Sequence, residues 1–331
     1  GAGPFRVEEA IEGERVRLAR NRDFFVAGEP LLDELTFRLD LRSFRDVAEA
    51  FVREELDIAH AIPLKMVEQL QDEPRIAPYL QQTIQLHTSY VGYDSSKAPF
   101  DRVEVRQAVN HAINRQRINE RVYGGLGMIA ESLLPPGLLG YDPSIRGLAY
   151  DPERARQLLR QAGHASGFEI EYRTWETDEF NNSGLVPLLI EDLEAVGIRV
   201  RVTRHTAPEA SGPRQEPGHG LLYCANWYAD FPDPDNFFYV LFHTDSTTVR
   251  GLHYHRPEVD AQIVEARRTN DTERRADIYR RLDEMVVHEA PLAPLFHERL
   301  YLVHKPGVRG VRTSLVPPPV RYNGVWLENG D

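Results

Sequence analysis

Trp227-Tyr228-Ala229-Asp230-Phe231-Pro232-Asp233-Pro234-Asp235-Asn236 gathers aromatic rings and carboxylates on one short stretch. Three acids so close together are one way to build a calcium loop. That loop also needs a central glycine and a distal bidentate glutamate, and Pro232 and Pro234 stand where its pattern should continue. No metal site is therefore expected here. The carboxylates have two other uses. One is to pair with a cationic group of a bound molecule, because an amine removed from water without a partner costs several kcal/mol. The other is to cap or solvate a turn rich in proline and aspartate. Of Trp227 and Tyr228, one is expected to face a cleft and the other inward. An aromatic wall supplies contact area without demanding one particular side chain.

Other residues with chemical potential offer less. His253 and His255 are two apart and on a strand would share a face, an arrangement that can hold nickel or copper. Surface histidines are the plainer reading. Cys224 is the single cysteine. It allows no disulfide within the chain and no cysteine zinc site, and in an apolar run it reads as core. No Gly-x-Ser-x-Gly, phosphate loop, Gly-x-Gly-x-x-Gly or His-Glu-x-x-His pattern occurs. Gly124-Gly125-Leu126-Gly127 follows a helix instead of opening one, so it is not a dinucleotide turn. The expectation from these patterns is that the chain is not an enzyme and carries no cofactor.

Alternation of apolar residues predicts strands across the first 40 residues and again over 82–94. Ser43 can cap a helix to about Leu56, and a short helix follows over 64–70. Val105, Ala108, Val109, Ala112 and Ile113 mark one face of a helix over 103–122, ended by Gly124-Gly125. Asp151-Pro152-Glu153 is a helix start, with an N-cap aspartate and a first-turn proline. Strand 168–174, helix 183–196 and strand 198–202 then predict a parallel pair with a crossover helix. Trp175 follows the first of these strands, where open α/β sheets face their ligands, so it is a candidate contact, with packing as the alternative. A strand over 220–226 and helices over 257–268 and 272–288 come next. Extended segments over 292–296, 300–303 and 324–327 complete the chain, and 208–218 reads as a polar loop. The whole is a two-lobed α/β protein. The segments near 82–94 and 292–304 are the candidate hinge crossings, and Tyr90 and Tyr93 on the first of them are candidate cleft residues.

The chain has 331 residues, 41% apolar and 27% charged, which is ordinary for one large or two medium globular domains. A net charge of −12 argues against nucleic acid as the main partner. The basic residues are nearly all arginine, with only Lys65, Lys97 and Lys305 as lysines, a pattern that fits genomic GC bias or arginine ion pairing. No run of about 18 apolar residues exists to cross a membrane as a helix. Gly1-Ala2-Gly3-Pro4-Phe5-Arg6 lacks the regions of a signal peptide, so either a signal was removed or the chain begins inside a longer protein.

Several segments, in order, resemble the dipeptide-, oligopeptide- and nickel-binding proteins of ABC importers, family 5 of the bacterial extracellular solute-binding proteins. They are Gly1-Ala2-Gly3-Pro4-Phe5, Gly13-Glu14-Arg15-Val16-Arg17-Leu18 with Arg20-Asn21-Arg22-Asp23-Phe24-Phe25, Leu32 to Arg38, and Tyr90-Val91-Gly92-Tyr93-Asp94. Pro99-Phe100-Asp101, Val105 to Arg115, Trp227 to Asp230 with Pro234 to Phe237, and Pro291 to Phe296 continue the series. Asp94, Asn114, Glu54-Glu55 and Phe25 depart from the family's usual residues. The likeness begins in that family's middle. It implies a periplasmic binding protein type II-like α/β fold of two lobes joined by hinge strands, the first lobe incomplete. Residues 1–88 would supply part of the first lobe, 89–290 the second, ligand-binding lobe, and 291–331 the return.

The resemblance also implies capture of a solute, a peptide by expectation, by clamshell closure for a membrane permease, with Asp230 pairing with the ligand's α-ammonium. Trp227, Tyr228 and, through its amide, Asn226 would line the same site. The protein would be monomeric and extracytoplasmic, periplasmic or lipid-anchored at the cell surface. The alternative is a cytoplasmic ligand sensor of the same fold fused to a transcription regulator.

Overall fold

The computed structural model describes residues 2–60, 62, 64–175, 184–205, 221–247 and 251–328. The expected loop over 208–218 lies outside the described residues. In chain order the strands and helices are β1 (Phe5–Ile11), β2 (Arg15–Arg20), β3 (Glu34–Arg38), α1 (Phe44–Val52), β4 (Ile58–His60), α2 (Leu64–Gln71) and β5 (Leu80–Tyr93). Then come α3 (Val103–Ala112), α4 (Arg115–Tyr123), β6 (Met128–Ile129), α5 (Pro152–Gln161), β7 (Phe168–Trp175), α6 (Leu185–Ala195) and β8 (Ile198–His205). The last are β9 (Leu221–Tyr228), α7 (Asp235–Phe242), α8 (Pro257–Arg268), α9 (Thr272–Glu289), β10 (Leu292–His304), β11 (Val308–Arg309) and β12 (Trp326–Leu327).

These elements form two compact units, Gly1–Gln85 with Arg299–Asp331, and Leu86–Glu298. The sequence reading put the boundaries at 88/89 and 290/291. Strands β5 and β10 each carry residues of both units.

The first unit holds the antiparallel sheet β1-β2-β3, with a bulge between Val7 and Glu9. Its strands are half-exposed, and its arginines pair with carboxylates, as Arg15 does with Glu9 at 2.8 Å. Solvent-exposed pairs of this kind are screened and contribute little to stability. Strand β4 pairs with the end of β10, Ala59 opposite Val303. The capping box on Ser43 starts α1, which stops at Val52 instead of running to Leu56.

The second unit contains a mixed sheet in the order β10-β5-β9-β7-β8. Strands β7 and β8 are parallel, with α6 as the crossover, as their order in the chain requires. Strand β9 runs parallel to β7 and antiparallel to β5. On one face, Val91, Tyr93, Leu222 and Cys224 of the sheet pack with α3, α5 and α6 through Val105, Val109, Leu158 and Leu189. Trp227 has the opposite parity to Cys224, so it faces the other side, where its indole reaches α7. There Phe237, Phe238, Leu241 and Phe242 of α7 and Ile263, Ile278, Tyr279 and Leu282 of α8 and α9 are all buried.

Three local expectations give way to tertiary structure. The helix expected over 103–122 is two helices, because Asn114 leaves the helical path and caps α4, accepting from the Arg117 N–H at 2.9 Å. Its own N–H donates to Asp192 on α6 at 2.8 Å. The segment after Pro234, where the sequence suggests a turn and no helix, is α7. It buries Asn236, Phe237, Phe238, Leu241 and Phe242, too much of its circumference to leave a polar stripe. The two extended segments near 292–303 are one continuous strand.

Candidate functional site

Strand β9 ends at Tyr228, and Asp230 follows one residue later. Ligands of open α/β sheets meet the carboxyl ends of parallel strands, and β7, β8 and β9 all end towards this side. Asn236, at the start of α7, organises the turn. Its buried carboxamide oxygen accepts from the Trp227 indole N–H and the Asp230 backbone N–H, both at 3.0 Å. Its amide nitrogen donates to Asp230 Oδ2 at 3.3 Å. One side chain thereby fixes the aromatic ring, the backbone and the carboxylate together.

The three acids of the stretch have separate uses. Asp233 holds Arg275 of α9 in a two-point pair at 2.7 and 2.8 Å, and that guanidinium also lies over the Tyr279 ring. Asp235 sits 3.5 Å from Arg267, and burial raises its pKa above the ordinary carboxylate value. Asp230 is exposed, and among the described residues no arginine, lysine or histidine pairs with it. It is thus the acid of the three that stays available to a cation from outside the chain.

Three neighbouring strands carry a polar row beside this turn. His87 on β5 is directly opposite Tyr228 on β9, and Glu298 lies on β10, the other neighbour of β5. The Tyr228 hydroxyl donates to Glu298 Oε2. The His87 ring lies 4.0 Å from the Tyr228 ring, centroid to centroid, and its Nδ1 is 3.9 Å from the same Glu298 oxygen. His87 is only 6% exposed, and neither ring nitrogen has a hydrogen-bond partner among the described residues. Burial, helped by nearby His297, depresses its pKa to about 3, so it is neutral at pH 7. His297 faces the other side of the sheet, 3.0 Å from the Thr88 hydroxyl, and burial lowers its pKa to about 4.

The structure separates the residues that the sequence put forward. Trp227 is buried and bonded to Asn236, while Tyr228 is half-buried beside Glu298, so the adjacent rings do face opposite ways. Asn226 is half-buried, opposite Ser89. Trp175 is the last residue of β7, paired in register with His205. Tyr90 and Tyr93 are buried farther along β5, opposite Ala225 in the middle of β9 and Leu222 near its start. The Tyr93 ring stacks on Phe100 and its hydroxyl donates to the Ala290 carbonyl. Both tyrosines are interior residues of the strand pair, away from its polar end. His253 and His255 do not lie on a strand, and His253 adopts a φ of 47°. Among the described residues no group of three or more histidine, cysteine or acidic side chains is placed to hold a metal.

Sequence reasoning missed Asn236, His87 and Glu298 as site residues. Asn236 was legible only as part of a turn. His87 and Glu298 are 211 positions apart and meet only because β5 and β10 are neighbours.

Residues 1–248 match the family described as bacterial extracellular solute-binding proteins, family 5 Middle. The chain is 27% identical over 326 residues to di/tripeptide-binding protein 1 of Pseudomonas aeruginosa, covering 95% of this chain and 58% of that protein. It is 31% identical over 247 residues to heme-binding protein A of Haemophilus influenzae, covering 73% of this chain and 44% of that protein. Among solved structures, it is similar to the ABC transporter-associated periplasmic binding protein DppA of Helicobacter pylori in complex with the peptide STSA. The TM-score is 0.84 and the identity 27%, over 99% of this chain and 63% of that one. The chain thus spans less than two thirds of the length of these relatives.

Proposed function

The chain belongs to family 5 of the bacterial extracellular solute-binding proteins, and from that premise we propose that it takes part in capturing a peptide for an ABC-type importer, with Asp230 receiving the peptide's terminal ammonium. One observation carries the reading. Asp230 is an exposed carboxylate at the carboxyl end of β9, held by Asn236, while its acidic neighbours are already engaged by Arg275 and Arg267. An ammonium drawn out of water beside that carboxylate keeps a charged partner, so its desolvation is offset. A ligand whose end is fixed in this way is sorted by charge before side-chain fit matters. The di/tripeptide-binding relative and the peptide-bound structure support a peptide over other solutes.

In this reading the two compact units correspond to the two lobes, and β5 and β10 are the crossings between them. Capture requires no bond to be made or broken, so no catalytic group is needed. The remaining parts are a membrane permease as partner, an extracytoplasmic location and a monomeric state.

Calorimetric titration of the full-length protein with di- and tripeptides tests the anchor. Asp230→Ala should weaken a bound peptide by about 3–5 kcal/mol if its ammonium is buried against this residue. N-acetylation of the peptide should cost the wild type a similar amount and cost the variant little more. A loss below about 0.5 kcal/mol on Asp230→Ala, well under the scale of a buried charge, would remove Asp230 from the role.

A further inference from the structure

A cavity of about 170 Å³ lies within the second unit, at the corner between α3 and α4. Strand β6, the segment 147–150 and Pro294 of β10 close its other sides. Its volume is below the range of about 300–1,000 Å³ that takes drug-sized ligands and far above the room that one water needs. Two charged side chains line it, Arg115 and Glu131, and they form no ion pair with each other. Each is already positioned. The Arg115 guanidinium donates to the Pro294 carbonyl at 2.6 Å, to the Asn110 carbonyl at 3.2 Å and to the buried Asn110 carboxamide oxygen at 2.9 Å. These bonds use three of its five N–H groups and leave one on each terminal nitrogen. All the acceptors are neutral, and among the described residues no carboxylate forms an ion pair with Arg115. Burial pushes its pKa down to about 10, so at pH 7 it is a cation short of countercharge. Glu131 acts on it from a distance and is itself fixed, accepting from the Gly147 N–H at 2.9 Å. A Cβ on Gly147 would stand 2.7 Å from the Glu131 carbonyl oxygen, so glycine is what lets the two segments approach this closely.

We propose that this cavity is a second binding site, which takes a free α-amino acid with an apolar side chain, its carboxylate on Arg115 and its ammonium on Glu131. The chemistry decides the class of ligand. A carboxylate alone would meet Arg115 but be repelled by Glu131, and an amine alone would meet the reverse. A small zwitterion answers both charges at once. A carboxylate accepts at about four positions, and the Gly147 bond takes one of them, so Glu131 has room for the N–H groups of an ammonium. Ile129, Leu148 and Val287 give the rest of the wall an apolar lining suited to an aliphatic side chain. None of the residues around the cavity belongs to β9 or α7, which carry the Asp230 turn. The site therefore does not depend on the peptide anchor.

The test is calorimetric titration of the full-length protein with leucine, with isocaproate, which lacks the ammonium, and with isoamylamine, which lacks the carboxylate. Leucine should bind with a dissociation constant below about 1 mM, and each analogue about tenfold more weakly or worse, as the loss of one charge-assisted pair implies. Glu131→Gln keeps the shape of the side chain and removes its charge. It should weaken leucine about tenfold and strengthen isocaproate, an opposite movement that general damage to the fold does not produce. Failure of the wild type to bind leucine at that level would overturn the site. Leucine binding unchanged in Glu131→Gln would put the amino acid elsewhere, the Asp230 turn included, and would overturn it as well. So would parallel weakening of leucine and isocaproate in that variant. None of these results bears on peptide capture at Asp230.

Discussion

The β5–β9 strand pair is built differently at its two ends. At one end Tyr93 lies opposite Leu222, and both belong to the apolar core. The Tyr93 ring is stacked, and its hydroxyl has an acceptor. At the other end His87 lies opposite Tyr228, equally hidden from solvent but with no hydrogen-bond partner for its ring. Asp283 shows how the interior of the same unit treats a polar group. It is fully buried, yet accepts from the Ser132 hydroxyl at 2.7 Å and from the Leu133 and Leu134 N–H groups at 2.9 and 3.3 Å. Asp283 has its acceptors satisfied, and the His87 ring does not. Stability alone gives no reason to keep an unsatisfied imidazole.

Substitutions can break this contrast, and the largest effect is expected inside. Tyr93→Ala should lower unfolding free energy by about 3–5 kcal/mol, from the cavity and the unmet Ala290 carbonyl. Denaturant unfolding measures it, and a loss below about 1 kcal/mol would mean this end is not core.

Asp283 should give the next largest signal. Burial raises its pKa to about 6. Between pH 4 and 6 the folded state therefore retains a proton that the unfolded chain gives up, and this group's contribution to stability falls as pH rises. The fall is about 2–3 kcal/mol for a shift of roughly two pH units. Asp283→Asn removes the titration, so the variant's stability relative to wild type should rise across that window. A difference independent of pH would contradict the assignment.

The smallest effect is expected at the polar end, with the opposite sign. His87→Phe replaces an unsatisfied polar ring by an apolar one and should stabilise the ligand-free protein by about 1 kcal/mol at pH 7.5. Because the folded-state pKa of His87 lies below that of the unfolded chain, wild type loses stability as pH falls below about 6.5. The advantage of the variant should grow over the same range. Destabilisation by His87→Phe at every pH would show that the imidazole is part of the packing after all.

Local chemistry made much of the fold legible. Asp151 and Pro152 announce α5, and the Asp151 carboxylate does accept from the Arg154 N–H at 2.8 Å. The β7–α6–β8 unit follows from strand–helix–strand order, and Gly124 closes α4 in the left-handed conformation. The type II periplasmic binding fold was legible through residue series such as Val105 to Arg115. Helix α7 was not legible, because a helix buried around most of its circumference has no amphipathic period to detect. The break before α4 was hidden for another reason. It depends on Asp192, distant in sequence, accepting the Asn114 N–H.

The candidate site divides along the same line. Residue type and spacing determined that Asp230, Asp233 and Asp235 cluster beside two aromatic rings, while the extension of β9 to Tyr228 is what sets Trp227 and Tyr228 on opposite faces. Only the tertiary structure decided which acid stays available, because Arg267 and Arg275 reach the cluster from other helices. Only the order β10-β5-β9 brought Glu298, His87 and Tyr228 together. Local propensities act over a few residues, while the pairing of strands far apart in sequence is fixed by which faces the whole core must bury.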